Sequence, residues 1–176
     1  MRAKLGQVFL HDQNIIRKIV RFSNIDNEDC VLEIGCGEGI LTKALSDVSH
    51  HVTVIEIDKT CIELTQTNVK ATNIDFVHHD VLKVDITQVM NRSFKLIANV
   101  PYYLSAKLIQ HIVEHRSLLS FACIMFQKEF SNKLCASPGQ KDYTSLTLYT
   151  CFYFEISYLF TVSKTCFNPV PKVDSA

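Results

Sequence analysis

Cys30-Val31-Leu32-Glu33-Ile34-Gly35-Cys36-Gly37-Glu38-Gly39 governs the reading of everything around it: a short apolar run that ends in three glycines at alternate positions. An apolar run of this length bounded by a turn signal reads as a buried strand. The glycines let the backbone turn tightly and let a ligand approach with no Cβ in the way. Residues 40–48 follow with apolar side chains at Ile40, Leu41, Ala44, Leu45 and Val48, the spacing of a helix. Strand, glycine turn and helix in succession form one unit of an α/β sheet.

The same rhythm continues downstream. Residues 51–57 alternate into a second strand and 60–69 into a helix, and Asp75-Phe76-Val77 makes a short third strand. Residues 94–98 form a fourth strand, followed by a helix over 104–113 with apolar residues at 104, 108, 109, 112 and 113. Residues 121–126 read as a fifth strand leading into a helix over 128–136. Alternation of this kind requires crossover connections and predicts an α/β fold, a doubly wound, mostly parallel sheet with helices on both faces. Ser137-Pro138-Gly139-Gln140-Lys141-Asp142 is a surface loop. Residues 144–162 are so rich in Thr, Tyr, Phe and Ile that propensity alone reads them all as strand, with the aromatics from Phe152 to Phe160 in the core. Asn168-Pro169-Val170-Pro171 excludes regular structure near the end.

The chain has 176 residues, enough for one well-packed domain. Its composition, 47% apolar and 20% charged, is that of a folded rather than a disordered chain. No run of 18 apolar residues is available to cross a membrane, and the segment from Met1 to Gln7 lacks the apolar core of a secretory signal. Cysteines at 30, 36, 61, 123, 135, 151 and 166 are odd in number and include no CxxC pair, which points to reduced thiols and a cytoplasmic protein. A monomer is expected. Formal net charge is zero but unevenly spread: +4 over residues 1–22, −6 over 23–104, +3 over 105–141 and −1 beyond. Basic flanks around an acidic middle suit a protein that meets phosphate with its flanks and a small cationic cofactor with its middle.

The candidate chemistry lies at the carboxyl ends of the predicted strands. The glycine turn is GxGxG, not the GxGxxG of nucleotide dehydrogenases. Glu56, at the end of the second strand and 21 positions after Gly35, can hold both hydroxyls of a ribose; NAD enzymes place an acid similarly, so these two features leave both cofactors open. Asp80 follows the third strand and can accept from an adenine amine, although an isolated acid there is as readily a helix cap. Asn99-Val100-Pro101-Tyr102 separates the readings. An amino nitrogen conjugated to an adenine ring is a poor nucleophile because its lone pair is delocalised. The Asn99 side-chain oxygen and the Val100 carbonyl can take its two hydrogens, hold it near tetrahedral geometry and aim the lone pair at a sulfonium methyl. Pro101 fixes the turn and Tyr102 offers a stacking face for the base. No metal is needed, because a sulfonium methyl is already activated. His50-His51 and His78-His79 are adjacent pairs on strands, whose side chains point apart, with no further ligand at suitable spacing, so no metal site is expected there.

With these residues in place, the sequence resembles the ribosomal RNA adenine dimethyltransferase family, the KsgA type. The resemblance runs through Gly6-Gln7-Val8-Phe9-Leu10-His11-Asp12, the glycine turn over 33–42, Glu56-Ile57-Asp58, Asp80-Val81-Leu82, Asn99-Val100-Pro101-Tyr102, Phe126-Gln127-Lys128-Glu129 and the stretch from Phe167 to Ala176. Within the last, Lys172-Val173-Asp174-Ser175 favours the small-subunit enzymes over the related large-subunit methyltransferases.

The resemblance implies a class I, Rossmann-like methyltransferase domain using S-adenosylmethionine, acting on adenines of small-subunit ribosomal RNA. It implies that Gln7, Val8 and Leu10 line the methionine end of the cofactor with Gly35 and Gly37 beneath it. Glu56 and Ile57 would meet the ribose, Asp80 and Val81 the adenine, and Asn99 both cofactor and target. It also implies that Phe167 sandwiches the target base against Tyr102 and that part of 144–152 is helix, against the propensity reading. Position 8 departs from the family, with Val where a polar residue such as Asn is usual, and loses a side-chain hydrogen bond. The family continues past the equivalent of Ala176 into a last sheet strand and a helical RNA-binding domain, so the chain is expected to be the catalytic domain without them. The alternatives are methylation of large-subunit ribosomal RNA or of a DNA adenine, a non-catalytic assembly factor on the same fold, and a dehydrogenase.

Overall fold

The computed structural model describes residues 8–176. In chain order these form β1 (Phe9–Leu10), α1 (Gln13–Phe22), β2 (Cys30–Ile34), α2 (Ile40–Ser46), β3 (His51–Glu56), α3 (Lys59–Asn68), β4 (Ile74–His78), α4 (Ile86–Val89), β5 (Phe94–Asn99), α5 (Ser105–Glu114), β6 (Leu119–Met125), α6 (Lys128–Leu134), α7 (Ser145–Tyr153) and β7 (Phe167–Asn168). Strands β2 to β6 make one sheet in the order β4-β3-β2-β5-β6, with every pairing parallel. The expected doubly wound sheet is therefore present.

Alternation within the strands sorts side chains into two cores. From β2 and β5, Leu32, Ile34, Leu96 and Ala98 face one side, where they pack with Leu108, Ile109 and Ile112 of α5. Val31 and Ile97 face the other, with Ile15, Ile16 and Ile19 of α1, Leu41 and Leu45 of α2 and Cys61 of α3. Glu33, two residues on, shares the face of Val31 and so enters the second core, where it is fully buried. Because α2 and α3 lie on one face and α5 on the other, the winding reverses between β2 and β5. Ligands of open α/β sheets bind at that reversal, outside the carboxyl ends of the strands.

Several elements differ from the sequence reading, among them the short β1 and α4, which it does not contain. Helix α1 is absent from it, although Asp12 caps the helix by accepting from the amides of Asn14 (2.7 Å) and Ile15 (3.4 Å). Helix α7 replaces predicted strand, as the resemblance implies. Thr144 and Thr147 form a reciprocal capping box, and the Thr147 hydroxyl donates to the Lys133 carbonyl of α6 at 2.7 Å. Tertiary contact and a cap here outweigh the β propensity of the sequence. The aromatics expected in the core are largely outside it: Phe152 is 79% exposed, and Tyr153 and Tyr158 lie at the surface. Strand β7 pairs antiparallel with β1, Leu10 opposite Phe167, and β7 reaches the start of the Asn-Pro-Val-Pro stretch where no regular structure is predicted.

None of the seven cysteines forms a disulfide, and burial pushes the thiols of Cys36, Cys123, Cys135 and Cys166 up. No helix among the described residues is long and apolar enough to cross a membrane.

Candidate active site

Register alone brings the candidate residues together. Ile34 pairs with Ile55 of β3 and with Ala98 of β5, and Glu56 pairs with His78 of β4. The residues at and immediately beyond these pairs, Gly35, Glu56-Ile57, His79-Asp80-Val81 and Asn99-Val100-Pro101, therefore share one edge of the sheet. They line a cleft of about 160 Å³ together with Val8, Gly37, Tyr103 and Leu104. A larger groove of about 550 Å³ runs along β6 and residues 153–162. It lies along the side of the sheet, is mostly apolar and contains neither the glycine turn nor the Asn99 turn, so the smaller cleft is the candidate site.

The glycine turn makes room for a ligand. Gly35 has φ +82°, and a Cβ there would stand 3.8 Å from the Asn99 carbonyl oxygen and 4.0 Å from Glu56 Oε2, inside the cleft. Gly37, at φ +54°, lies under β1: a Cβ would come within 2.9 Å of the Phe9 ring. The turn is braced from behind by α3, where Thr65 donates to the Gly37 carbonyl (3.3 Å) and Asn68 to that of Glu38 (3.0 Å).

Two acids are fixed along the edge. Glu56 is only 6% exposed; its Oε2 accepts from the Cys36 amide at 3.1 Å and its Oε1 from the Asp58 amide at 2.9 Å. Oε2 also takes the Cys36 thiol at 3.8 Å, and Oε1 retains a further lone pair for a hydroxyl. Asp80 is a cap that also faces the cleft. Its Oδ1 accepts from the Leu82 amide at 3.1 Å and so caps the turn after β4, while the residue also lines the cleft.

Asn99 ends β5, Val100 is buried, and Pro101 starts a short helical turn closed by the Leu104 amide donating to the Pro101 carbonyl at 3.0 Å. The Asn99 carboxamide and the Val100 carbonyl receive no hydrogen bond from any described residue. Two acceptors thus stand uncommitted on one turn, beside the glycine cradle and the two acids.

Several expected positions fall elsewhere. Leu10 is 7% exposed and belongs to the core, and it is the neighbouring Phe9 that touches the glycine turn. Phe167 is 1% exposed, its ring enclosed with Ile16 and Val162, so it presents no stacking face. Tyr102 does not line the cleft either; its hydroxyl is 2.9 Å from Ser175 Oγ, which ties the Asn99 turn to the C-terminal segment. Gln7 lies outside the described residues. Tyr103, missed by the sequence reading, lines the cleft and is 64% exposed. The doubled tyrosine is the signal that could have found it, since one of two adjacent rings must face away from the other. The histidine pairs serve local contacts: His51 Nε2 lies 3.1 Å from Asp75 Oδ2, and His78 Nε2 lies 3.1 Å from the Ile57 carbonyl oxygen.

The whole chain, residues 1–176, matches the family described as ribosomal RNA adenine dimethylase. The chain belongs to that family. A ribosomal RNA small subunit methyltransferase A of Fusobacterium nucleatum is 41% identical over 99% of this chain and 67% of its own length. A crystal structure of a dimethyladenosine transferase from Plasmodium falciparum superposes with a TM-score of 0.86 at 33% identity, covering 95% of this chain and 60% of that one. The 23S ribosomal RNA methyltransferase ErmE gives a TM-score of 0.82 at 31% identity, covering 96% of this chain and 67% of that one. The chain thus spans about two thirds of the length of these dimethylase-family relatives.

Proposed function

We propose that this chain is the catalytic domain of an enzyme that transfers methyl groups from S-adenosylmethionine to the exocyclic amino group of adenines in small-subunit ribosomal RNA, two methyls per target adenosine. One observation carries the reading: the uncommitted Asn99 carboxamide and Val100 carbonyl stand beside a glycine cradle and two fixed acids, in a member of the dimethylase family.

The cleft fits that cofactor. Gly35 leaves open the volume a Cβ would fill, the remaining lone pair on Glu56 Oε1 suits a ribose hydroxyl, and the second oxygen of Asp80 suits the adenine amine. When bound, S-adenosylmethionine supplies a methyl group already activated by its sulfonium. The remaining work belongs to the protein. Asn99 and Val100 accept the two hydrogens of the target amine and localise its lone pair. Pro101 holds the two acceptors in fixed relation, so no reorganisation is needed as positive charge develops on nitrogen. Tyr103, exposed at the mouth, offers a face on which the base can stack. Release of the amine proton needs no strong base on the protein, because the methylated nitrogen is acidic. Seven cysteines with no disulfide among them support a cytoplasmic setting.

Glu56→Ala is expected to weaken S-adenosylmethionine binding by roughly 1.5–3 kcal/mol, the range for hydrogen bonds to a charged group. Calorimetry on parent and variant measures this, and equal affinities would remove Glu56 from the site. The reaction itself is tested by incubating the protein with methyl-labelled S-adenosylmethionine and unmethylated small ribosomal subunits. Label recovered as N6-methylated adenosine from the small-subunit RNA is expected. Label found only when large-subunit RNA is offered would move the chain to the other branch that ErmE represents.

A further inference from the structure

Helix α5 closes with His111-Ile112-Val113-Glu114-His115, a segment with no part in the cleft. Its two imidazoles are four residues apart on one helix face, with ring centroids 4.3 Å apart. A ring nitrogen of each and a Glu114 carboxylate oxygen all lie within 4.8 Å of one another. His111 is 8% exposed, and its Nε2 is enclosed without a hydrogen-bond partner among the described residues. Leaving such an atom unpaired is costly, so its retention asks for an explanation. His115 is oriented by its own helix: Nδ1 donates to the His111 carbonyl at 2.9 Å. In the neutral ring that bond places the proton on Nδ1 and leaves the lone pair on Nε2, the arrangement found in metal-ligating histidines. That Nε2 stands 3.7 Å from Asp85 Oδ1, at the start of α4.

We propose that His111, Glu114 and His115, with Asp85 beside them, form a binding site for a divalent transition metal ion, zinc foremost. Two imidazoles and a carboxylate are donors zinc accepts, whereas calcium and magnesium require shells of oxygen. Around a tetrahedral zinc with bonds of about 2.1 Å the donors stand about 3.4 Å apart. The donors must therefore close in by up to about 1.4 Å, which the exposed Glu114 and half-buried His115 can supply while His111 stays fixed. Asp85 already caps α4 through the Thr87 amide at 3.0 Å. An ion held here joins the end of α5 to the start of α4. His111 lies six residues along the helix from Ser105, about 9 Å from the end that carries the Asn99 turn, so the ion is a clamp on the fold and offers nothing to the reacting atoms.

The test is titration of the chelator-stripped protein with zinc chloride, followed by calorimetry and thermal unfolding. One equivalent is expected, with a rise in Tm. His115→Ala should weaken binding at least 100-fold and Glu114→Gln at least 10-fold, since loss of a mere outer-shell partner already costs about 10- to 100-fold. Both positions are accessible, and an unchanged Tm without zinc shows that the variants fold. Because cysteine thiols compete for zinc, cobalt(II) serves as a second probe: a nitrogen and oxygen site gives visible absorption without the near-ultraviolet thiolate band. Absence of stoichiometric zinc, equal affinity in both variants, or a dominant thiolate band would overturn the assignment.

Discussion

Asn99→Ala is expected to lower methyl transfer on the order of 100- to 1000-fold while leaving most of the affinity for S-adenosylmethionine in place. The carboxamide accepts no hydrogen bond from the described chain, so the substitution removes no structural contact that holds the turn. Its contribution belongs to the transition state, where the adenine nitrogen acquires positive character and two fixed acceptors are worth most. Loss of one preorganised group of this kind costs about 10²–10³ in rate. Val100 cannot be tested in the same way, because its acceptor is a backbone carbonyl present in every variant. Single-turnover transfer of labelled methyl to unmethylated small ribosomal subunits measures the effect, and calorimetry on the same variant measures cofactor affinity. A parent-like rate would show that the Asn99 turn does not hold the target amine. A parallel collapse of rate and cofactor affinity would instead make Asn99 a cofactor ligand.

Glu33→Gln is expected to stabilise the protein in alkaline solution and to flatten its stability against pH. Glu33 is fully buried on β2, and neither carboxyl oxygen has a hydrogen-bond partner among the described residues. Burial pushes its pKa up to about 8 from an ordinary 4.5; the nearby Thr42 hydroxyl opposes this and the Glu56 carboxylate adds to it, and burial outweighs both. Below about 4.5 the group is protonated in folded and unfolded chains alike and contributes no pH dependence. Between 4.5 and 8 the unfolded chain has released this proton and the folded chain has not, so stability falls as pH rises; above 8 the loss is complete. A shift of this size corresponds to roughly 3–5 kcal/mol at about 1.4 kcal/mol per unit. A carboxamide at this position would keep the shape and abolish the titration. Denaturant unfolding of parent and variant from about pH 4 to about pH 9 measures the difference, which should be small at the acid end and largest at the alkaline end. Parallel curves would show that Glu33 finds a partner that keeps it ionised.

The residues legible in the sequence share one property: their placement is local. An apolar run, a glycine turn and the residue after the next strand are all fixed within a few positions of β2, β3, β4 or β5. Parallel register then carries Gly35, Glu56, Asp80 and Asn99 to one edge without further information. What is not legible depends on distant contacts. Residues 145–153 have strand composition, yet form α7 because Thr144 caps them and Thr147 reaches back to α6. Phe167 resembles an exposed stacking residue in sequence but is enclosed once β7 pairs with β1. Tyr102 and Tyr103 are adjacent and chemically alike. Only the partnership of Tyr102 with Ser175, 73 positions away, settles which of them faces the cleft. Glu33 escapes the sequence reading for a related reason: alternation marks its side as buried, but nothing in the sequence says that its oxygens go unpaired.

On the function proposed above, one cleft, between Glu56, Asp80 and the Asn99 turn, holds the methyl donor against the target base. The crystal structure of this protein grown with S-adenosylhomocysteine, the demethylated cofactor, tests it most directly. The expected result is the ribose on Glu56, the adenine beside Asp80 and Val81, and the sulfur facing the Asn99 and Val100 oxygens. A molecule bound in the apolar groove along β6, or one in the cleft with its sulfur turned away from Asn99, would contradict the account.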